Sequence, residues 1–200
     1  MDADLLNDGA RLVHLLGLSL GLAIALLAGA SAARAVLRPL HEREVEILQT
    51  LHHFVTLGLV LLWASGLTLL WLRTGFEVAQ FSPKLWAKLC VVMILTVSAI
   101  AIGRIGLPTL LRFQSWWFGD IPLPERVQLC ALGVLSAACW LSALALVVFG
   151  YFKTLNADQL THILAVTLIA ALFLALLAAT VTPLIAFLVR LKKRRSAAQG

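Results

Sequence analysis

The sequence predicts an all-α integral membrane protein, a single-domain bundle of about five transmembrane helices. Hydrophobic residues make up 61% of the 200 residues and charged residues only 13%, whereas soluble domains are about half apolar and a quarter charged. Long stretches with few or no charges recur along the chain, and most exceed the ~20 residues that cross a hydrocarbon core of ~30 Å. They are continuous and lack period-2 alternation, which favours helices over a membrane β-barrel.

The gaps between charged residues set the limits of the predicted helices. The five spans cover about residues 12–33, 47–72, 85–107, 127–152 and 159–189. The third is the weakest, because Lys88 interrupts its apolar run. The fifth is long enough to tilt, or to bend at Pro183.

The first span has a second interpretation, a cleaved signal peptide, because the triplets ASA and ARA follow its apolar run. Asp2, Asp4 and Asp8 precede the run, where a signal peptide carries basic residues. We therefore expect the first span to belong to the mature protein.

Lysine and arginine positions predict the orientation. If the N-terminus is outside, the inner segments hold Arg34, Arg38, Arg43, Arg104, Arg112, Arg126 and a basic tail over residues 190–200. The outer segments then hold only Arg11, Arg73, Lys84, Lys88 and Lys153. Positive charge accumulates on the cytoplasmic side, so we expect the N-terminus outside and the C-terminus in the cytoplasm of a bacterial inner-membrane protein. The net charge of +6 then indicates contact with the bilayer, not with nucleic acid.

Aromatic residues mark the expected membrane boundaries, where amphipathic rings collect at the headgroups. The outer set is Trp71, Phe76, Phe81, Trp86 and Tyr151, and the inner set is Phe113, Trp116, Trp117 and Phe118.

Ionisable residues within spans are costly and indicate functional sites. His14, Lys88 and His162 each follow a charged residue by three or four positions, which places each roughly 5 Å inside its helix at 1.5 Å per residue. In the expected topology all three lie on the outer side. Each taken alone fits a structural role at the interface, but their common depth on three helices favours one shared site, provided that their helix faces point inward, which the sequence does not show.

The chemistry of these residues favours a metal cofactor. A neutral imidazole is the usual axial ligand of haem and also suits copper, while the lysine amine suits a haem propionate. His14 and His162 would together ligate one b-type haem, and no CxxCH motif indicates a c-type haem. Copper transport would favour thioether and thiolate ligands, yet Met1 and Met93 are the only methionines.

A second pair, His52 and His53, lies about 9–10 Å deep on the inner side. Adjacent residues point about 100° apart, so only one faces any given site. We expect a hydrogen-bonded His53 that faces the bundle, as a secondary candidate. The cysteines, Cys90, Cys130 and Cys139, are expected to be small buried hydrophobes.

Short motifs in the first three spans carry a resemblance. They are LVHLLGL with His14, ASGLTLLW with Gly66, LWAKL with Lys88, and GRIGLP with Arg104, Leu107 and Pro108. In these motifs the chain is similar to the CopD-type copper-resistance membrane domain and the HemJ-type protoporphyrinogen oxidase. The resemblance implies a haem- or copper-associated bundle, and in the HemJ-type enzyme the matching histidine and lysine are implicated in the haem site.

The sequence thus predicts a membrane protein that holds b-type haem for electron transfer or redox chemistry, with a membrane or periplasmic redox partner. Whether it is a membrane oxidoreductase stays open. The alternatives are a copper permease that uses the same histidines and a cofactor-free structural or assembly subunit.

Overall fold

The computed structural model describes residues 3–197, apart from the side chains of residues 3, 193, 194, 196 and 197. This part of the chain contains helices and their connections and no strand. The α-helices are α1 (Ala3–Ala33), α2 (Glu42–Thr74), α3 (Pro83–Ala101), α4 (Leu107–Arg112), α5 (Leu123–Val148) and α6 (Ala157–Ala197).

A π-helical turn, Ile102–Gly106, joins α3 directly to the short α4. The two helices and the turn form one rod, Pro83–Arg112. Within the described residues there are consequently five helical rods long and apolar enough to cross a membrane. The prediction of an all-helical protein with five spans is confirmed.

The helices end where the local sequence stops them. Gly75 terminates α2 in the left-handed conformation at φ 57°, which glycine adopts without a steric penalty. Ser82 begins α3 by accepting a hydrogen bond from the amide of Leu85. Helix α5, the fourth predicted span, stops at Val148, four residues before the predicted limit, because Phe149 is extended and the chain continues as a 3₁₀ turn.

An odd number of crossings places the two chain ends at opposite faces of the bundle. The N-terminal face holds the start of α1 and the loops 75–82 and 149–156. The C-terminal face holds the loops 34–41 and 113–122 and the end of α6.

The first two helices approach each other backbone to backbone. A Cβ atom on Gly58 would lie 2.9 Å from the Cα atom of Gly21, and one on Gly17 would lie 3.0 Å from the Gly58 carbonyl oxygen. Trp140 of α5, which is fully buried, fills the notch that Gly21 leaves. Small residues at such crossings allow the close van der Waals contact that holds membrane helices together.

The loop between α4 and α5 closes the C-terminal face. Arg126 is buried and its Nη1 donates to the carbonyl oxygens of Gly119 and Ile121 at 2.7 and 3.1 Å. Gly119 touches α6 at Pro183, where an added Cβ would lie 2.8 Å from the Cα of that proline.

Two aromatic residues predicted to lie at the inner membrane boundary are core residues instead. Phe113 and Phe118 are buried in a cluster with Ile121 and residues of α2, whereas Trp116 is 51% exposed. The loop folds back over the helix ends, so the rings of Phe113 and Phe118 point into the bundle. The boundary prediction was therefore wrong for Phe113 and Phe118.

The outer surface of the bundle is apolar along its length. On α6, for example, Ile169 and Phe173 are 66% and 68% exposed. Large exposed apolar surfaces of this kind are stable only against lipid or another apolar partner. The fold is compatible with that of a multi-pass membrane protein.

Candidate functional site

A cavity of about 760 Å³ opens at the N-terminal face between α1, α2, α3 and α5. Its deeper walls are mainly aliphatic and aromatic, including Leu18, Leu62 and Trp63. This volume is within the ~300–1,000 Å³ range of small-molecule sites, which are typically apolar with a few placed polar groups.

His14 lies on the α1 wall of this cavity, half-buried. Its Nδ1 atom is 3.0 Å from the hydroxyl oxygen of the buried Ser65 on α2. That hydroxyl donates its single proton to the carbonyl oxygen of Leu61 at 2.6 Å. With the hydroxyl proton on a backbone carbonyl, the network assigns Nδ1 as the donor to Ser65 and places the proton of a neutral ring on Nδ1.

This hydrogen bond leaves the lone pair of His14 on Nε2, across the ring from Ser65. A ligating histidine is normally fixed in this manner, with its other ring nitrogen donating to the protein. Gly66 supports the arrangement, since an added Cβ would already lie 3.4 Å from the Cε1 atom of His14. The imidazole is thus held in a tautomer and orientation suited to binding a metal atom or accepting a proton.

The remaining polar lining is strongly cationic. Lys88 and four other basic residues line the cavity, and no carboxylate is among its lining residues. The four are Arg11, Arg73, Lys84 and Lys153.

Two of these cations already have partners. Lys84 donates to the carbonyl oxygen of Phe149 at 3.2 Å, and Arg11 lies 3.4 Å from Asp8 at the exposed rim. Among the described residues, Lys88, Arg73 and Lys153 form no hydrogen bond or ion pair. Like charges near a low-dielectric wall repel one another, so the cavity favours an anionic occupant.

The structure brings His14 and Lys88 to one cavity, but it does not bring His162 there. His162 is exposed on α6 and is not part of the lining. It lies two residues from Leu160, which is buried in the core, so it points about 200° away from that face at 100° per residue. Ligation of one haem by both His14 and His162 does not fit this placement.

His53, the secondary candidate, does not face the bundle as expected. His53 is hydrogen-bonded, with Nδ1 2.8 Å from the Gln49 carbonyl oxygen, but it is exposed. His52 faces the bundle instead, against the π-helical turn, where a Cβ on Gly103 would lie 2.9 Å from the Nε2 atom of His52.

The cysteines lie outside this cavity. Cys139 is buried, Cys130 is half-buried and Cys90 is exposed; only the first two match the expected burial. Cys90 and Cys139 line a second, apolar cavity of about 640 Å³ between α3, α5 and α6. In the described part of the chain, no group of three or more His, Cys, Asp or Glu residues has the spacing to hold a metal ion.

The sequence interpretation missed Ser65 and the basic lining of the cavity. Arg73 and Lys153 entered it only as topology markers, although both border predicted spans on the side of His14 and Lys88. Several basic residues lie at one end of the predicted bundle, next to ionisable groups within the spans. This pattern could have predicted the basic lining. Ser65 carried no signal, because a serine in a helix usually bonds its own backbone.

No protein-family model matches the chain, and neither a curated protein nor a solved structure matches it. The resemblance to CopD-type and HemJ-type proteins stays a prediction.

Proposed function

We propose that the chain is a membrane protein that holds one b-type haem in the N-terminal-face cavity and serves electron transfer or redox chemistry. His14 would be the single protein ligand of the iron. The observation that carries the proposal is the His14–Ser65 hydrogen bond, which leaves the Nε2 lone pair free.

The rest of the cavity also suits this group. The apolar walls suit the haem macrocycle, and the basic residues suit its two propionates. Among these basic residues, Lys88 has the predicted depth closest to that of His14. The bound haem would supply a one-electron acceptor and donor, while the protein supplies the ligand, the charge balance and the exclusion of water.

The charge asymmetry of the loops supports an orientation with the cavity on the outer side of a bacterial inner membrane. In that orientation a membrane or periplasmic redox partner would exchange electrons at the N-terminal face. The resemblance to HemJ-type enzymes implies that such a protein also oxidises a substrate. The proposal leaves this enzymatic activity open.

Copper transport is the second candidate, and the cavity favours it less. Copper sites use several nitrogen or sulfur ligands, whereas His14 is the only such ligand in the lining and basic side chains surround it. A cation-rich cavity also repels a free copper ion.

The test is a visible absorption spectrum of the full-length protein purified from haem-sufficient cells. We expect a Soret band in the parent and its loss in His14→Ala, because the iron loses its protein ligand. Added imidazole should restore haem binding to His14→Ala, which separates loss of a ligand from loss of the fold.

Matched controls are available in the chain. His53→Ala and His162→Ala remove exposed imidazoles and should leave the spectrum unchanged. Lys88→Met keeps the ligand and the side-chain length and should weaken haem retention. A parent without haem absorbance, or a His14→Ala spectrum equal to that of the parent, would overturn the proposal, and copper bound in its place would support the second candidate.

A further inference from the structure

The last two turns of α6 form the most basic segment of the chain. Arg190, Lys192, Lys193, Arg194 and Arg195 lie within six residues, and no Asp or Glu occurs after Asp158. The helix continues without interruption to Ala197. The side chains of Lys192 and Arg195 are exposed. A continuous helical segment rich in basic residues therefore ends the fifth span.

A contact of Arg190 fixes the height of this segment relative to the membrane. Its Nη2 atom lies 2.5 Å from the Oδ2 atom of Asp120, and its guanidinium covers the ring of Trp117 at 4.7 Å. Both partners lie on the loop that closes the C-terminal face, where Trp116 is exposed. Tryptophans collect at the level of the headgroups, so Arg190 marks the boundary of the hydrocarbon core.

The basic residues beyond Arg190 then lie within the headgroup layer. At 1.5 Å per residue, Lys192 is about 3 Å and Arg195 about 7.5 Å further along the axis. The headgroup region is about 5–8 Å deep on each side of the bilayer. A soluble acidic protein or a nucleic acid would have to displace headgroups to reach these side chains, whereas a lipid phosphate is already there.

We infer that the last two turns of α6 bind anionic phospholipid headgroups in the leaflet at the C-terminal face. Asp120 engages Arg190, and the other four basic residues are assigned to lipid. Each Lys or Arg near an anionic surface improves binding by about fivefold, so the segment selects anionic over zwitterionic lipid.

The experiment uses the full-length protein in phosphatidylcholine vesicles that contain an equal fraction of brominated phosphatidylglycerol or brominated phosphatidylcholine. Bromine quenches tryptophan on contact. Trp71→Phe with Trp86→Phe removes the exposed tryptophans of the N-terminal face, so the exposed tryptophan that remains is Trp116, on the loop beside α6. We expect brominated phosphatidylglycerol to bind at least about threefold more strongly than brominated phosphatidylcholine.

Replacing Lys192, Lys193, Arg194 and Arg195 by glutamine should abolish this preference, and 1 M salt should reduce it by screening. The matched control, Lys192→Arg with Lys193→Arg, keeps the charge and should keep the preference. Equal quenching by both lipids in the parent, or a preference that survives the glutamine replacements, would overturn the inference. Salt-sensitive binding of RNA or an acidic protein without lipid preference would overturn it as well.

Discussion

Both faces of the bundle carry basic residues, and three of those at the C-terminal face differ in their partners from two that line the cavity at the N-terminal face. At the C-terminal face, Arg126 donates to two carbonyl oxygens, Arg190 meets Asp120, and Arg38 forms an ion pair with Glu44. At the N-terminal face, Lys88 and Arg73 face a cavity whose lining has no carboxylate. Basic residues that have hydrogen-bond or ion-pair partners in the protein stabilise the fold, whereas those without such partners are available to a ligand. The number of charges alone does not make this distinction.

The comparison makes Arg126 and Lys88 a matched pair for mutation. Arg126→Met removes two hydrogen bonds from a charged donor and leaves buried carbonyl oxygens unpaired, which should cost about 3 kcal/mol or more of unfolding free energy. Lys88→Met removes a charge without a described partner and should change stability by less than about 0.5 kcal/mol. Denaturation of both variants in mixed detergent micelles checks the pair. Equal losses would mean that the two faces do not differ in this respect.

A smaller effect on stability is expected when a glycine at each of the two faces is replaced by alanine. Gly119→Ala places a Cβ 2.8 Å from the Cα of Pro183, and such overpacking against backbone costs about 1–3 kcal/mol. Gly66→Ala meets only the His14 ring at 3.4 Å, which is ordinary contact, and should leave stability unchanged or slightly higher. Thermal unfolding in detergent compares the two variants. A less stable Gly66→Ala would show that the cavity wall is also tightly packed.

The smallest effect is expected from the ion pair at the end of α6. Both partners are partly exposed, at 35% for Arg190 and 47% for Asp120, so Asp120→Asn should cost no more than about 1 kcal/mol and less at high salt. Lys153→Gln at the cavity rim should have no such cost, because its removal relieves repulsion among cations. Melting temperatures at low and high salt test both. A salt-independent loss in Asp120→Asn would indicate a packing role for Asp120.

The depth of each residue could be predicted from the sequence, but its rotation about the helix axis could not. Gaps between charges placed His14 and Lys88 at one level, and the structure brings both to one cavity. The same reasoning placed His162 at that level, yet the residue faces away from the core. A hydrophobic span gives little periodicity to fix a helix face, because lipid and core are both apolar.

The choice between His52 and His53 failed for the same reason. One of the two had to face the bundle, and the sequence offered no criterion to choose. The notch at Gly103 that receives His52 depends on the π-helical turn, which shifts the phase of the third rod. Ser65 and the basic lining belong to the site only because the helices contact one another. Spacing along a single helix does not predict such contacts.

The position of His14 near the start of α1 has an electrical consequence. His14 lies three residues from Arg11, so a ligand that enters from the N-terminal face crosses about 5 Å of a hydrocarbon core ~30 Å thick. A charge that crosses the whole membrane gains or loses about 2.3 kcal/mol per 100 mV, and a sixth of that path corresponds to about 0.4 kcal/mol. Binding of a charged group at the level of His14 should therefore be nearly independent of membrane voltage, and an energised membrane should load that position almost as readily as a resting one.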